Sequence, residues 1–346
     1  MSLYRTALSF LEPVLMFLHK NIKDALGVCA ALFKIMIPIV IIIKLLQEAG
    51  LIVLISNAMS PLMHFFGLPG SMSLVWVTAM VTNLYGGAVV FITLLPTTPM
   101  TVSQVTVLAT MMLIAHSLPV ELGIARRCGA RLRVQFIIRI GGAMLCGWIL
   151  FHGYNLPGWG TTPLHPSWIP DAAASGWFAW LTGEIRNLMA IAIIVTAMIM
   201  LLDILKGLGL TDLMIRALSP GLRVMGVGRE AGTIALVGLT LGLSYGGGLI
   251  IHESRSGRIP QGDIFFALTF MGLTHSLIED TLLMVLLGAE LFGVLWTRLA
   301  FTVLVLWILT KILAVVPERY IESLLVHPGT GKATTASPEK TPGKSD

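Results

Sequence analysis

Six stretches of this chain, Ala25–Leu46, Ser71–Leu95, Val134–Phe151, Asn187–Leu205, Ala231–Ile251 and Leu291–Ala314, are apolar runs carrying at most two charged side chains each. Roughly 20 apolar residues is the length that takes an α-helix through the hydrocarbon core of a bilayer. Continuous runs, in place of ten-residue segments of alternating polarity, exclude a transmembrane barrel. With 55% hydrophobic and 12% charged residues and a mean hydropathy of +0.86, no water-soluble fold would cover this much apolar surface. The expectation is an all-α, polytopic helix bundle whose first partner is the lipid bilayer, multi-pass in the cell inner membrane.

The ends and the minor residues add little chemistry. No short apolar core with a small-residue cleavage site opens the chain, so no removable signal peptide is expected. Residues 1–24, with Phe10, Val14 and Phe17 opposite Arg5 and Glu12, are expected to lie along the membrane surface, kinked at Pro13. Cys29, Cys128 and Cys146 show no CxxC spacing, which argues for small buried hydrophobes and against a disulfide or zinc framework. The net charge of +5 sits mostly in loops and tail, where it reports orientation and not nucleic-acid binding. Residues 317–346 have the composition of a disordered cytoplasmic tail.

The chain repeats itself at an offset of 159 to 160 residues. Ala58-Met-Ser-Pro61 answers Ala217-Leu-Ser-Pro220, and Leu84-Tyr-Gly-Gly87 answers Ser244-Tyr-Gly-Gly247. Ala115-His-Ser-Leu118 answers Thr274-His-Ser-Leu277, Glu121 answers Asp280, and Arg139 answers Arg298. The units are 25–152 and 186–316, joined by a connector over 153–185 that holds Trp159, Trp168, Trp177 and Trp180, rings that favour the membrane interface.

Loop charges choose between parallel and inverted copies. Residues 62–70 hold no Lys or Arg, whereas the matching region carries Arg216, Arg223 and Arg229. Conversely, Arg126, Arg127, Arg131 and Arg133 follow the first His-Ser-Leu, and the second is followed by LLGAELFG. Opposite bias in matching loops predicts inverted topology. With Lys20 and Lys23 cytoplasmic, residues 25–46 cross outward, 71–95 return, 101–125 form a re-entrant hairpin bending at His-Ser-Leu-Pro119, and 134–151 cross outward. The second copy repeats this upside down. The layout is about six spans plus two hairpins, with eight spans as the alternative, and it leaves Arg255 and Arg258 on the wrong face.

Within the apolar runs, few residues can carry chemistry. Tyr85, Gly86, Gly87 and Tyr245, Gly246, Gly247 mark either close helix packing or broken-helix substrate sites. His116 with Ser117 and Glu121, and His275 with Ser276, Glu279 and Asp280, set ionisable groups at mid-membrane depth, where they are costly unless partnered. They either cap a hairpin or contact a substrate or coupling proton. Arg139 and Arg298 are expected to ion-pair with Glu121 and Asp280. Neither copy alone supplies a recognised metal-ligand pattern, so no metal and no cofactor is assigned, and adjacent His and Ser point too far apart on a helix for a hydrolase.

The paired Tyr-Gly-Gly and His-Ser-Leu-x-x-Glu and His-Ser-Leu-Ile-Glu-Asp units resemble the Gate domain, or nucleoside recognition domain, of nucleoside transporters, spore-maturation membrane proteins and ferrous-iron permeases. Two copies would cover about 30–150 and 188–316. Cys128-Gly-Ala-Arg-Leu132 is similar to a run in the iron permeases, although Arg133 replaces the proline expected there and the second copy has no cysteine. No GxxxxGK[ST] loop is present, so no GTPase is attached. The resemblance implies a non-enzymatic membrane protein that moves a small-molecule or ion substrate, nucleoside-like solutes included. A divalent-metal permease using His116, His275 and Cys128, or a membrane assembly factor, are its alternatives, and a homo-oligomer is compatible with each.

Overall fold

The computed structural model describes residues 2–156, 159–164, 176–209, 243–256 and 259–315, with isolated positions between 213 and 239. Trp168, Arg223, Arg229 and the tail expected over 317–346 lie outside the described residues. The chain is helical, and no strand occurs among the described residues, only an isolated bridge between Thr101 and Pro163.

Helix α1, Ser2–Glu48, is a single rod. The segment expected to lie flat is therefore continuous with the first span, with Pro13 and the Lys23-Asp24 boundary both inside one helix. Helix α8, Trp177–Gly207, packs along it. Lys20 Nζ reaches Asp203 at 3.0 Å near one end, and Lys44 Nζ lies 5.5 Å from the Trp177 ring near the other. The first spans of the two copies thus run antiparallel, as inverted repeats require.

Two segments exchange the roles expected of them. Residues 71–95 do not cross: α3, Met72–Val81, and α4, Leu84–Leu94, fold back on each other about Thr82-Asn83. Asn83 is extended and its side chain accepts from Gly86 N at 2.8 Å, so it caps a new helix where the first one stops. Gly87 lets the arms close, since a Cβ there would stand 2.7 Å from the Ala79 Cβ and 3.1 Å from the Val75 carbonyl. In a continuous helix residues 75 and 87 would be about 18 Å apart.

Conversely, residues 101–125 do cross. Helices α5, Val102–Ile114, and α6, Leu118–Arg127, do not fold on each other, and α7, Leu132–Asn155, runs antiparallel along both. Arg139 meets Ile114 and His116, Gly147 lies against Met111, and Tyr154 and Asn155 line a cavity with Thr101 and Ser103. The bend expected at His-Ser-Leu-Pro119 is a break inside a membrane crossing. Residues 102–127 together are long and apolar enough to span.

The second copy follows suit. Helix α9, Leu243–Ser256, precedes α10, Gln261–Thr274, and α11, Glu279–Leu286, broken at His275-Ser276. A π-helical turn, Gly293–Thr297, then leads into α12, Arg298–Val315. Because a hairpin and a broken crossing have exchanged places, the loops of the first copy keep their expected sides. Ser254, near the end of α9, donates to Cys128 O at 3.0 Å, so this end of α9 lies beside the Arg126–Arg133 loop. The exchange brings position 255 to the basic face and removes the conflict it posed; Arg258 lies outside the described residues.

The core is central and thin. Val105 through Ile114 are all buried on α5, while Ile41, Val53, Ile137, Ile193, Val303 and Trp307 are exposed on α1, α2 (Leu51–His64), α7, α8 and α12. Large apolar side chains turned outward on five helices form a surface suited to lipid.

Candidate functional site

At both breaks the chain takes the same uncommon conformation. Ser117 and Ser276 have φ of 48° and 47°, the only non-glycine positive values among the described residues. A left-handed residue ends one helix and redirects the next, which strips carbonyls and amides of their partners within the ladder. Those groups must be satisfied inside the protein, because lipid offers none. Ser117 N donates to Ala79 O on the hairpin at 2.9 Å, and Leu277 N donates to Leu239 O, also at 2.9 Å.

Arg139 closes the first break. Its Nε donates to Ile114 O at 2.5 Å, its Nη2 to His116 O at 2.9 Å, and its Nη1 binds Glu121. One guanidinium thus satisfies two freed carbonyls and one buried carboxylate, with Arg139 only 3% and Glu121 6% exposed. The expected ion pair of the first copy is formed.

Its counterpart is not. Arg298, fully buried, donates from Nη2 to Thr281 at 3.1 Å, and its Nε and Nη1 have no hydrogen-bond partner. The ion pair expected with Asp280 is corrected to this hydroxyl contact. The Asp280 carboxylate turns away toward the first copy, with Oδ2 3.7 Å from His116 Nε2.

The breaks meet each other. His116 Nε2 lies 3.1 Å from His275 Nε2, with the ring centroids 4.8 Å apart. Each Nδ1 points at a carbonyl one turn back, His116 at Met112 O and His275 at Met271 O, both at 2.9 Å. Glu121 Oε1 lies 3.5 Å from His275 Nε2 and 3.8 Å from His116 Nε2. Thus each copy's carboxylate faces the other copy's imidazole. Tyr85, on the first hairpin, donates its hydroxyl to Glu279 Oε1 of the second break at 3.0 Å.

Of the residues singled out from sequence, Tyr85, His116, Glu121, Arg139, His275, Glu279 and Asp280 converge here, with Arg298 beside Thr281. Gly86 and Gly87 serve the hairpin, the first as part of the capped turn and the second at the arm contact. Gly247 packs against Ile124 of α6; the side chains around Tyr245 and Gly246 lie outside the described residues. Ser117 and Ser276 shape the backbone at the breaks. Cys128 caps the far end of the ten-residue α6, about 15 Å from the end that begins beside His116, so it does not join the histidines. Sequence reasoning missed Thr281, the buried Thr274–Thr302 pair and Gln135, whose Nε2 donates to Thr269 at 3.1 Å. Thr302 and Gln135 lie one helical turn from Arg298 and Arg139, a spacing that would have found them.

Near the outer end of the first copy, Phe66, Gly67, Thr101, Gln104, Phe151 and Tyr154 are among the residues lining a cavity of about 200 Å³. Tyr154 also donates to Glu290 of the second copy at 2.5 Å.

Residues 29–144 match the family described as Gate, nucleoside recognition, a span that runs from α1 through the hairpin and the break of the first copy into α7. The chain is also similar to the uncharacterized membrane protein YvoD of Bacillus subtilis (strain 168), 27% identical over 278 residues that cover 78% of this chain and 86% of that protein. No solved structure matches it. Residues 29–144 are therefore similar to the Gate, nucleoside recognition, family, within a chain whose long apolar helices and likeness to a membrane protein make it an all-α integral membrane protein.

Proposed function

We propose that the protein is a secondary transporter of the inner membrane that passes a small polar solute between its two halves by alternating access, with coupling to an ion. The observation that carries this is the meeting of two broken crossings at membrane depth. Inverted halves with discontinuous helices and polar groups at the breaks are the architecture in which a substrate site forms at the repeat interface. Buried ionisable residues in such a bundle are costly structurally and mark pathways for solutes or protons.

The unequal state of the copies supports the same reading. In the first, Arg139 clamps the break; in the second, Arg298 holds Thr281 and makes no bond to the break's carbonyls. Two inverted halves that exchange these arrangements would open a shared site alternately to either face. The Gate description makes nucleosides the first solutes to try. Saturable uptake into proteoliposomes, measured over a panel of nucleosides and other small polar solutes, is the expected outcome, with flux lost in His116→Ala. Absence of saturable flux across the panel, with correctly inserted protein, would sink the transporter and favour the assembly-factor alternative.

A further inference from the structure

We propose that His116, His275 and Asp280 form a binding site for a divalent first-row transition-metal ion that bridges the two halves of the protein. This holds whichever solute passes, and whether or not one does.

The hydrogen bonds leave the two imidazoles facing each other in a way that a cation between them would stabilise. A backbone carbonyl can only accept, so each Nδ1 facing Met112 O or Met271 O carries a proton. In the neutral ring that leaves each Nε2 with a bare lone pair. Two bare nitrogens 3.1 Å apart repel, and something positive between them turns repulsion into attraction. A carbonyl fixing Nδ1–H while Nε2 faces a metal is the usual second-shell arrangement of a ligating histidine.

The remaining donors have the right chemistry and spacing. His116, His275 and Asp280 each offer a ligand atom, all within 4.8 Å of one another. Asp280 Oδ2 and Glu121 Oε1 are buried carboxylate oxygens without hydrogen-bond partners, on residues 7% and 6% exposed. A tetrahedral ion with bonds of about 2.0–2.1 Å holds adjacent donors about 3.3–3.4 Å apart. The 3.1 Å between the imidazole nitrogens and the 3.7 Å from Asp280 Oδ2 to His116 lie near that value, and the widest separation in the trio, within 4.8 Å, has to close as the ion binds. Glu121 Oε1 lies 3.5 and 3.8 Å from the two imidazoles and adds negative charge beside the trio, its other oxygen held by Arg139. Mixed imidazole and carboxylate ligands select divalent ions such as zinc, cobalt, iron(II) or manganese over alkali cations. His116 comes from one half and His275 and Asp280 from the other, so the ion would tie the breaks together.

The test uses the full chain, purified in detergent, stripped with a chelator and titrated with Co²⁺. One ion per chain is expected, with the visible absorption of a tetrahedral nitrogen and oxygen site, displaced by Zn²⁺. His275→Ala and Asp280→Asn should each weaken binding by on the order of 100-fold or more. Thermal unfolding checks that each variant is folded. Should either fail to fold, ¹⁵N-histidine resonances of the wild-type protein decide: both Nε2 signals should move to metal-bound positions on adding Zn²⁺. Failure to take up stoichiometric Co²⁺, binding unchanged in both folded variants, thiolate absorption from Cys128, or a proton between the Nε2 atoms that Zn²⁺ does not displace would each overturn the site. Co²⁺ binding without solute flux would sink only the transporter.

Discussion

Ser117 and Ser276 show how much one residue's backbone decides in a membrane crossing. Their left-handed φ values cost about 1–2 kcal/mol for a residue with a Cβ, and each break depends on that conformation. Glycine adopts it freely, so Ser117→Gly and Ser276→Gly should leave stability within about 1 kcal/mol. Ser117→Val, with a β-branched side chain at the same φ, should lower it by a further 1–2 kcal/mol or so. Thermal unfolding in detergent checks this, and equal effects of Gly and Val would remove the conformational explanation. The residues of the site were largely legible beforehand, since ionisable groups in apolar runs are rare and expensive. Their partners were not. Arg139 reaches Glu121 as expected, but its bonds to Ile114 O and His116 O depend on where the helix breaks, which residue identity does not state.

At the level of elements, a hairpin and a crossing were confused for a physical reason. The run 71–95 is uncharged and long enough to span, and nothing in its hydropathy distinguishes one helix from two antiparallel ones. Only Asn83 as a cap and Gly87 as a contact point carry the turn. The segment 101–125, with Pro119 and polar residues at its middle, has the look of a turn, yet α7 packs along its whole length. The hairpin has a directional consequence. Cysteines replacing Pro69 and Thr97 should react with an impermeant maleimide from the same face of the membrane, and one replacing Arg127 from the opposite face. Labelling of positions 69 and 97 from opposite faces would restore the simple crossing.

For the whole molecule, the two copies share one sequence pattern and hold it in two arrangements. Glu121 is clamped by Arg139, whereas Asp280 is released toward His116 and Arg298 is bound to Thr281. If the halves exchange these arrangements, Arg139→Met removes a bond set that only the observed state makes, and shifts the population toward the other. Labelling of a cysteine replacing Ser103, which lines the outer cavity, should change several-fold in the Arg139→Met background and little in Arg298→Met. Equal rates in both would refute the exchange. The sequence by itself determined the membrane as solvent, the duplication, the inversion of the copies and most residues of the site, because length, hydropathy, repetition and loop charge are properties of the chain read linearly. Only the tertiary structure decided which segments turn back, that the two histidines meet head to head, and that each carboxylate faces the other copy's ring. Those facts depend on packing between segments some 159 residues apart, and contacts at that separation leave no local periodicity to read.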